Sequence, residues 1–146
     1  MISINVYLTF DGNCEEAFLF YESVFNEGKA DIRKFKEMPE NPEYPLSEKD
    51  LEKVMHVALR IGKHHVLMGS DTGGEWTAGF IQGNNFSVSV NASSKADADR
   101  LFNGLSKGGQ IIMPMGKTFW DSYFGMFTDK FGIQWMISFD EPDRKK

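Results

Sequence analysis

Residues 86–109 read FSVSVNASSKADADRLFNGLSKGG, and the stretch INVYLTFDGNCEEAFLFYESVFNEG at 4–28 carries the same pattern. In the later copy Phe86, Val88, Val90 and Ala92 alternate with Ser87, Ser89 and Asn91, the period-2 signature of a half-buried strand. Ile4, Val6, Leu8 and Phe10 do the same in the earlier one. A turn follows each strand, and then a helical stripe: Ala17, Phe20, Tyr21 and Val24 in the first copy, Ala98, Leu101, Phe102 and Leu105 in the second. Every residue of the second stripe lies 81 positions beyond its counterpart, and so does Gly109 relative to Gly28. The strands are displaced by 82, so the second turn is one residue shorter. Asn13 with Glu16 and Ser94 with Asp97 have capping-box spacing, and Gly28 is a candidate helix stop.

Working outward, strand-like segments follow each helix. In the first half they lie near 29–37, at 54–61 (VMHVALRI) and at 65–70 (HVLMGS), the last two joined by a turn at 62–64. In the second half they lie near 110–116, 122–128 and 133–139. Residues 38–53 hold three of the five prolines, which marks a long loop with a short helix from Ser47. The chain is β-α-β-β-β written twice, and such duplication is the first thing to establish in a sequence because it sets the architecture. The expected fold is α+β: two repeated βαβββ modules forming a curved mixed sheet around a concave pocket, with helices outside. One domain, 1–146, is expected, with module one at about 1–80 and module two at about 81–146. A concavity of that kind is where small ligands sit.

Composition narrows the function classes. The 146 residues, 41% of them hydrophobic with 13 Phe and 8 Met, are enough to bury a core without disulfides or metals. The formal net charge is -5 and the basic residues form no block, which argues against a nucleic-acid partner, whose phosphates demand clustered positive charge. Cys14 is the one cysteine, so there is no disulfide within the chain and no CxxC metal motif. The N-terminal stretch alternates polar and apolar residues unlike a signal peptide. No apolar run approaches the roughly 20 residues that span a bilayer. A soluble cytoplasmic protein without a membrane partner is expected.

Three stretches then resemble a known family. They are YLTFDGNCEEAFLFYESVF at 7–25, MHVALRIG with LMGSD within 55–71, and TFWDSYFGMFTDKFGIQWMI at 118–137. Together they resemble the PhnB-like branch of the vicinal oxygen chelate superfamily, which includes glyoxalase I, bleomycin-resistance proteins and extradiol dioxygenases. The resemblance implies paired βαβββ modules and a homodimer. It also implies that metal ligands, where a member has them, come from the first and last strands of each module. Those positions fall here near Val6 or Tyr7, Leu67 or Met68, Asn85, and Met136. Thioether, amide and aliphatic groups are poor donors for hard divalent ions, so no metal site and no cofactor are expected. Members of this branch are sometimes labelled as methyltransferases of ubiquinone synthesis. The sequence has no glycine-rich strand-loop-helix followed by an acidic residue of the kind that holds an adenosyl cofactor.

The candidate ligand-binding residues are His56, Met68, Trp76, Asn85, Trp120 and Tyr123. His56 is the best candidate for acid-base chemistry, because an unperturbed imidazole titrates near ~6.5; a histidine in a sheet is also readily satisfied by a neighbour. A metal site from His56, His65 and Asp71 stays open as an alternative, without the HxxxH type of spacing to support it. Trp120 and Tyr123 suit either the mouth of a cavity or, with Phe124 and Phe127, a dimer interface. Trp76, in the glycine-rich loop SDTGGEWTAGF, is placed to fold over a ligand or simply to pack. Asp129 and Gly132 read as hairpin-turn residues, and Cys14, though at a helix N-terminus, reads as structural. The leading expectation is a metal-free small-molecule-binding protein. Its rivals are a glyoxalase- or dioxygenase-like enzyme, acting through a metal or through His56, and a drug-sequestering resistance protein.

Overall fold

The first helix, α1, spans Cys14–Phe25 and begins without help from its own cap residue. Asn13 makes no side-chain cap bond. The donors of the first turn go instead to Asp71, which is 59 and 57 positions away. The amides of Gly12 and Cys14 donate to its Oδ1 at 2.9 and 3.0 Å. This long-range carboxylate takes over the capping role that the spacing of Asn13 and Glu16 suggested, and it suits the positive end of the helix dipole. The helix ends at Asn26, in the left-handed conformation with φ 53°, two residues before the glycine proposed from sequence. Its buried stripe is Cys14, Ala17, Phe18, Tyr21 and Phe25. That is a rotation by about one residue from the expected face, and it leaves Phe20 and Val24 half-buried.

The structure, a computed structural model, describes residues 1–43 and 45–141. These divide into two units, the first Met1–Ile81 and the second beginning at Gln82. In the first unit, strands β1 (Val6–Phe10), β2 (Asp31–Lys34), β3 (Val54–Ile61) and β4 (His65–Asp71) form one sheet in the order β1-β4-β3-β2. The β1–β4 pair is parallel and the other two are antiparallel. The short helix α2 (Glu48–Leu51) lies in the proline-containing loop, where the Ser47 hydroxyl accepts from the Asp50 amide at 3.2 Å. Leu8, Phe10, Val57, Leu59 and Leu67 face α1 and are buried. The rings of Phe10, Phe18 and Tyr21 meet edge-on, with centroids 6.1 and 5.6 Å apart, a favoured aromatic geometry. Gly69 makes this packing possible: a Cβ there would lie 2.6 Å from the Leu8 carbonyl oxygen and 2.7 Å from the Phe18 ring.

The second unit repeats the scheme. Strands β5 (Val88–Asn91), β6 (Gln110–Lys117), β7 (Tyr123–Thr128) and β8 (Gln134–Phe139) are ordered β5-β8-β7-β6, again with one parallel pair, β5 with β8. Helix α3 (Lys95–Leu105) buries Ala98, Leu101, Phe102 and Leu105, the stripe read from sequence. The Ser94 hydroxyl accepts from the Asp97 amide at 3.0 Å, but Asp97 turns its own carboxylate to the Ser93 hydroxyl, so only half of the capping box forms. Phe127, Trp135 and Ile137 lie under the helix, with the Phe102 and Phe127 rings edge-on at 5.1 Å. Phe127 is 1% exposed. It is therefore a core residue and cannot serve as an interface anchor. Ile4, the first residue of the expected strand, precedes β1 and is exposed.

Among the described residues, each unit has one buried aspartate that accepts from three N–H donors. Besides Gly12 and Cys14, Asp71 takes the Val54 amide on Oδ2 at 2.9 Å. Asp129 takes the amides of Phe131 and Ile133 on Oδ1, at 2.8 and 3.0 Å, and the indole N–H of Trp135 on Oδ2 at 2.9 Å. Gly132 has φ 87°, the positive value its turn position requires.

Candidate functional site

Strand alternation places one face of each sheet toward its helix and leaves the other face to be read for function. In the first unit the helix-free face carries Tyr7 and Thr9 from β1, Met68 and Ser70 from β4, His56 and Ala58 from β3, and Asp31 and Arg33 from β2. The register fixes the neighbours. Tyr7 pairs with Met68, Met68 with Ala58, and Ala58 with Asp31. In the adjoining row Arg33 pairs with His56, and Thr9 with Ser70. The Tyr7 and His56 rings approach to 5.9 Å between centroids at 51°. His56 and Met68, both picked out in the sequence, therefore share a face and are half-buried. Arg33 was missed, because only the β2–β3 pairing reveals that it stands opposite His56.

The helix-free face of the second unit is more apolar. Met113, Phe124, Met126 and Met136 occupy it, with Met113 paired to Met126 and Met126 to Met136. Ser89 pairs with Met136 at one side, and the Ser138 hydroxyl donates to the Asn91 side-chain oxygen at 2.5 Å. Trp120 follows β6 in a tight turn, half exposed, its ring edge-on to Phe119 at 4.9 Å and to Phe124 at 5.7 Å.

Tyr123 departs from the expectation that it joins such a face. It pairs with Phe139, two residues before Gly125 on β7 and two after Ile137 on β8, and that parity puts it on the side of α3. Its hydroxyl donates to Asp99 of that helix, and the Lys95 ammonium lies 4.8 Å from its ring centroid. The bond to Asp99 and, second, burial hold its phenol above the usual tyrosine range. Asn85 precedes β5 and is exposed. With the strand displacement of 82, the residue equivalent to Tyr7 is Ser89, and Ser89 pairs with Met136 as Tyr7 pairs with Met68. Trp76 lies in a 3-10 turn, Gly74–Gly79, and is 59% exposed. That turn starts on Asp50, whose Oδ2 accepts from the Gly74 amide at 3.1 Å while Lys53 pairs with Oδ1 at 3.0 Å. The Gly74 amide and then Lys53 hold the Asp50 carboxyl below its ordinary range.

The trio His56, His65 and Asp71 does not assemble. Asp71 faces α1 with both oxygens engaged by amides, His56 faces the opposite way, and His65 is exposed at the start of β4. Among the described residues no three His, Cys, Asp or Glu side chains group as they would to hold a metal ion. The positions that supply metal ligands by fold analogy hold Tyr7, Met68, Ser89 and Met136, a donor set that does not fit a hard divalent ion. Cys14 is fully buried. Burial, then the Asp71 and Glu15 carboxylates, push its thiol up, so the helix terminus does not activate it.

Two βαβββ units with mixed four-stranded sheets are the fold of the vicinal oxygen chelate superfamily. The structure accordingly resembles a glyoxalase/bleomycin resistance protein/dioxygenase family enzyme from Burkholderia phytofirmans PsJN, with a TM-score of 0.54 at 16% identity over 93% of this chain and 94% of that one. Much nearer is protein PA1353 from Pseudomonas aeruginosa, with a TM-score of 0.81 at 38% identity, covering 96% of this chain and 98% of that one. The PhnB protein from Bacillus cereus follows at 0.68 and 25%, covering 95% and 100%. Protein YjdN from Escherichia coli (strain K12) is 30% identical over 142 residues, 92% of this chain and 93% of that protein. The family described as 3-demethylubiquinone-9 3-methyltransferase matches residues 3–138. The chain belongs to that family, the PhnB-like branch of the superfamily.

Proposed function

We propose that the chain is a small-molecule-binding protein that works without a catalytic metal, a helix-free sheet face of a unit being the surface that takes the ligand. The observation that carries this reading is the composition of those faces. Tyr7, His56, Ala58 and Met68 in one unit, and Met113, Phe124, Met126 and Met136 in the other, offer aromatic and thioether surface, bordered in the first unit by a polar row. Such surface suits a modest, partly apolar ligand. The methyl transfer in the family's description is not carried over. Each sheet is mixed, with a single parallel pair, and differs from the doubly wound parallel sheets that seat nucleotide-type cofactors.

Titration with the neutral dye N-phenyl-1-naphthylamine tests the reading. Saturable enhancement of dye emission is expected, unchanged by EDTA and weakened by Met68→Asp or Met136→Asp. Non-saturable enhancement would reject ligand binding, and loss of binding on chelation would reject its metal independence.

We also propose that two copies associate. Strand β6 is an edge of its sheet and exposes Ile111, Ile112 and Met113, with Phe119 and Trp120 beyond its end. An apolar edge of this kind is a liability when left bare. Light scattering at micromolar concentration should give twice the 16.6 kDa chain mass, whereas the mass of one chain would overturn this proposal.

Membrane spanning by a helix finds no support among the described residues, where no helix is long and apolar enough to cross a bilayer.

A further inference from the structure

The helix-free face of the first unit is two-toned. One row, Tyr7, Met68, Ala58 and Asp31, has an apolar centre of thioether and methyl groups. The adjoining row holds the Arg33 guanidinium, the His56 imidazole and the hydroxyls of Ser70 and Thr9. Every side chain of that second row can donate a hydrogen bond, and the guanidinium can only donate. Arg33 and His56 are directly paired across β2 and β3, so their Cβ atoms are within roughly 5.5 Å of one another. Among the described residues of strands β1 to β4, Asp31 is the one carboxylate on this face. It meets Arg33 at Nε, 3.3 Å away, which leaves the two terminal amino groups of the guanidinium for a further acceptor.

The pairing sits at the edge of the sheet, since β2 is its last strand, and the Arg33 side chain is 59% exposed. A ligand can therefore reach it without displacing buried protein. An exposed Arg–Asp pair two residues apart on a strand is a weak stabiliser, so stability alone gives little reason for a guanidinium there. A planar fork beside an imidazole is a suitable arrangement for a carboxylate or phosphate oxygen pair.

Resting on the ligand-binding reading above, we infer that this face binds a small molecule with an anionic head group. Arg33 and His56 hold the head, and Ala58 and Met68 carry an apolar body that points toward the Tyr7 ring. The chemistry selects an amphiphilic anion such as an aryl or alkyl carboxylate or phosphonate. It disfavours an organic cation, because Asp31, the carboxylate that the described strand residues put on the face, is already engaged by Arg33.

Three probes of one shape decide the matter: benzoate, the neutral benzamide, and the cationic benzylamine. Binding is followed through the His56 ring resonances by NMR. Benzoate is expected to shift them saturably and to bind at least about tenfold more tightly than benzamide, with benzylamine weakest. Arg33→Ala should weaken benzoate by about tenfold or more and leave benzamide and the neutral dye unaffected. Arg33→Lys should fall between, keeping the charge without the fork. Benzoate binding no better than benzamide or benzylamine would overturn the inference, as would benzoate affinity indifferent to Arg33→Ala. Dye binding that persists in either case would leave the small-molecule reading standing, so the two failures are distinguishable.

Discussion

Replacing Asp71 by alanine is expected to destabilise the first unit by about 3–5 kcal/mol and to lower the melting temperature by about 10 °C or more. The reason lies in what the carboxylate holds. It is 4% exposed and accepts from Gly12, Cys14 and Val54, which belong to the β1–α1 turn, the start of α1 and the start of β3. Alanine leaves three amides without their acceptor, two of them at the positive end of a helix. Asparagine should recover about half of the loss. Its carbonyl oxygen can serve Gly12 and Cys14, but its amino group then faces the Val54 N–H, donor against donor. Thermal denaturation followed by circular dichroism separates the two variants. Equal stability of Asp71→Ala and wild type would show that water replaces the carboxylate without cost.

A loss of similar size, about 3–5 kcal/mol, is expected for Asp129→Ala in the second unit. Here the side chain joins the β7–β8 turn to the core, because one oxygen takes the Phe131 and Ile133 amides and the other takes the Trp135 indole. Trp135→Phe isolates the last contact. It removes a donor and leaves one carboxylate oxygen less well satisfied, so it should cost less than Asp129→Ala even though it also shrinks a ring that is 1% exposed. Urea denaturation of the two single variants and the double variant gives the coupling between the groups. A double-variant loss equal to the sum of the single losses would mean that the indole bond contributes nothing of its own.

The architecture was legible because it is written twice. Period-2 strands and the Ala98–Leu105 stripe reproduce themselves at fixed displacement, and the structure forms βαβββ units at those places. What the sequence does not show directly turns in part on long-range contacts that no local window contains, and in part on the exact turn and register that set strand parity. The spacing of Asn13 and Glu16 points to a capping box because that is a local pattern, whereas the side-chain acceptor actually used at the start of α1 is Asp71. Trp120 and Tyr123 both read as large rings with a polar handle before the hairpin, but the intervening turn, with Asp121 at φ 73°, reverses the chain and delivers Tyr123 to the helix side beside Asp99. Phe127 and Phe124 looked alike in sequence; strand parity sends one to the core and the other to the helix-free face. Arg33 is hidden in the sequence for a long-range reason, since its meaning depends on a partner 23 positions later.

The two aspartates also differ in how far along the chain they reach. Asp129 finds its donors within 2, 4 and 6 positions, whereas Asp71 gathers donors from 17, 57 and 59 positions away. Closing a long segment costs more chain entropy and slows the contacts that depend on it. The β7–β8 hairpin can thus fasten itself as soon as Trp135 exists. The first unit must hold β1 and α1 unfastened until β4 is complete. During that interval Phe10, Phe18 and Tyr21 have no sheet to cover, so of the two units it is the earlier-translated one that needs protection from aggregation for longer.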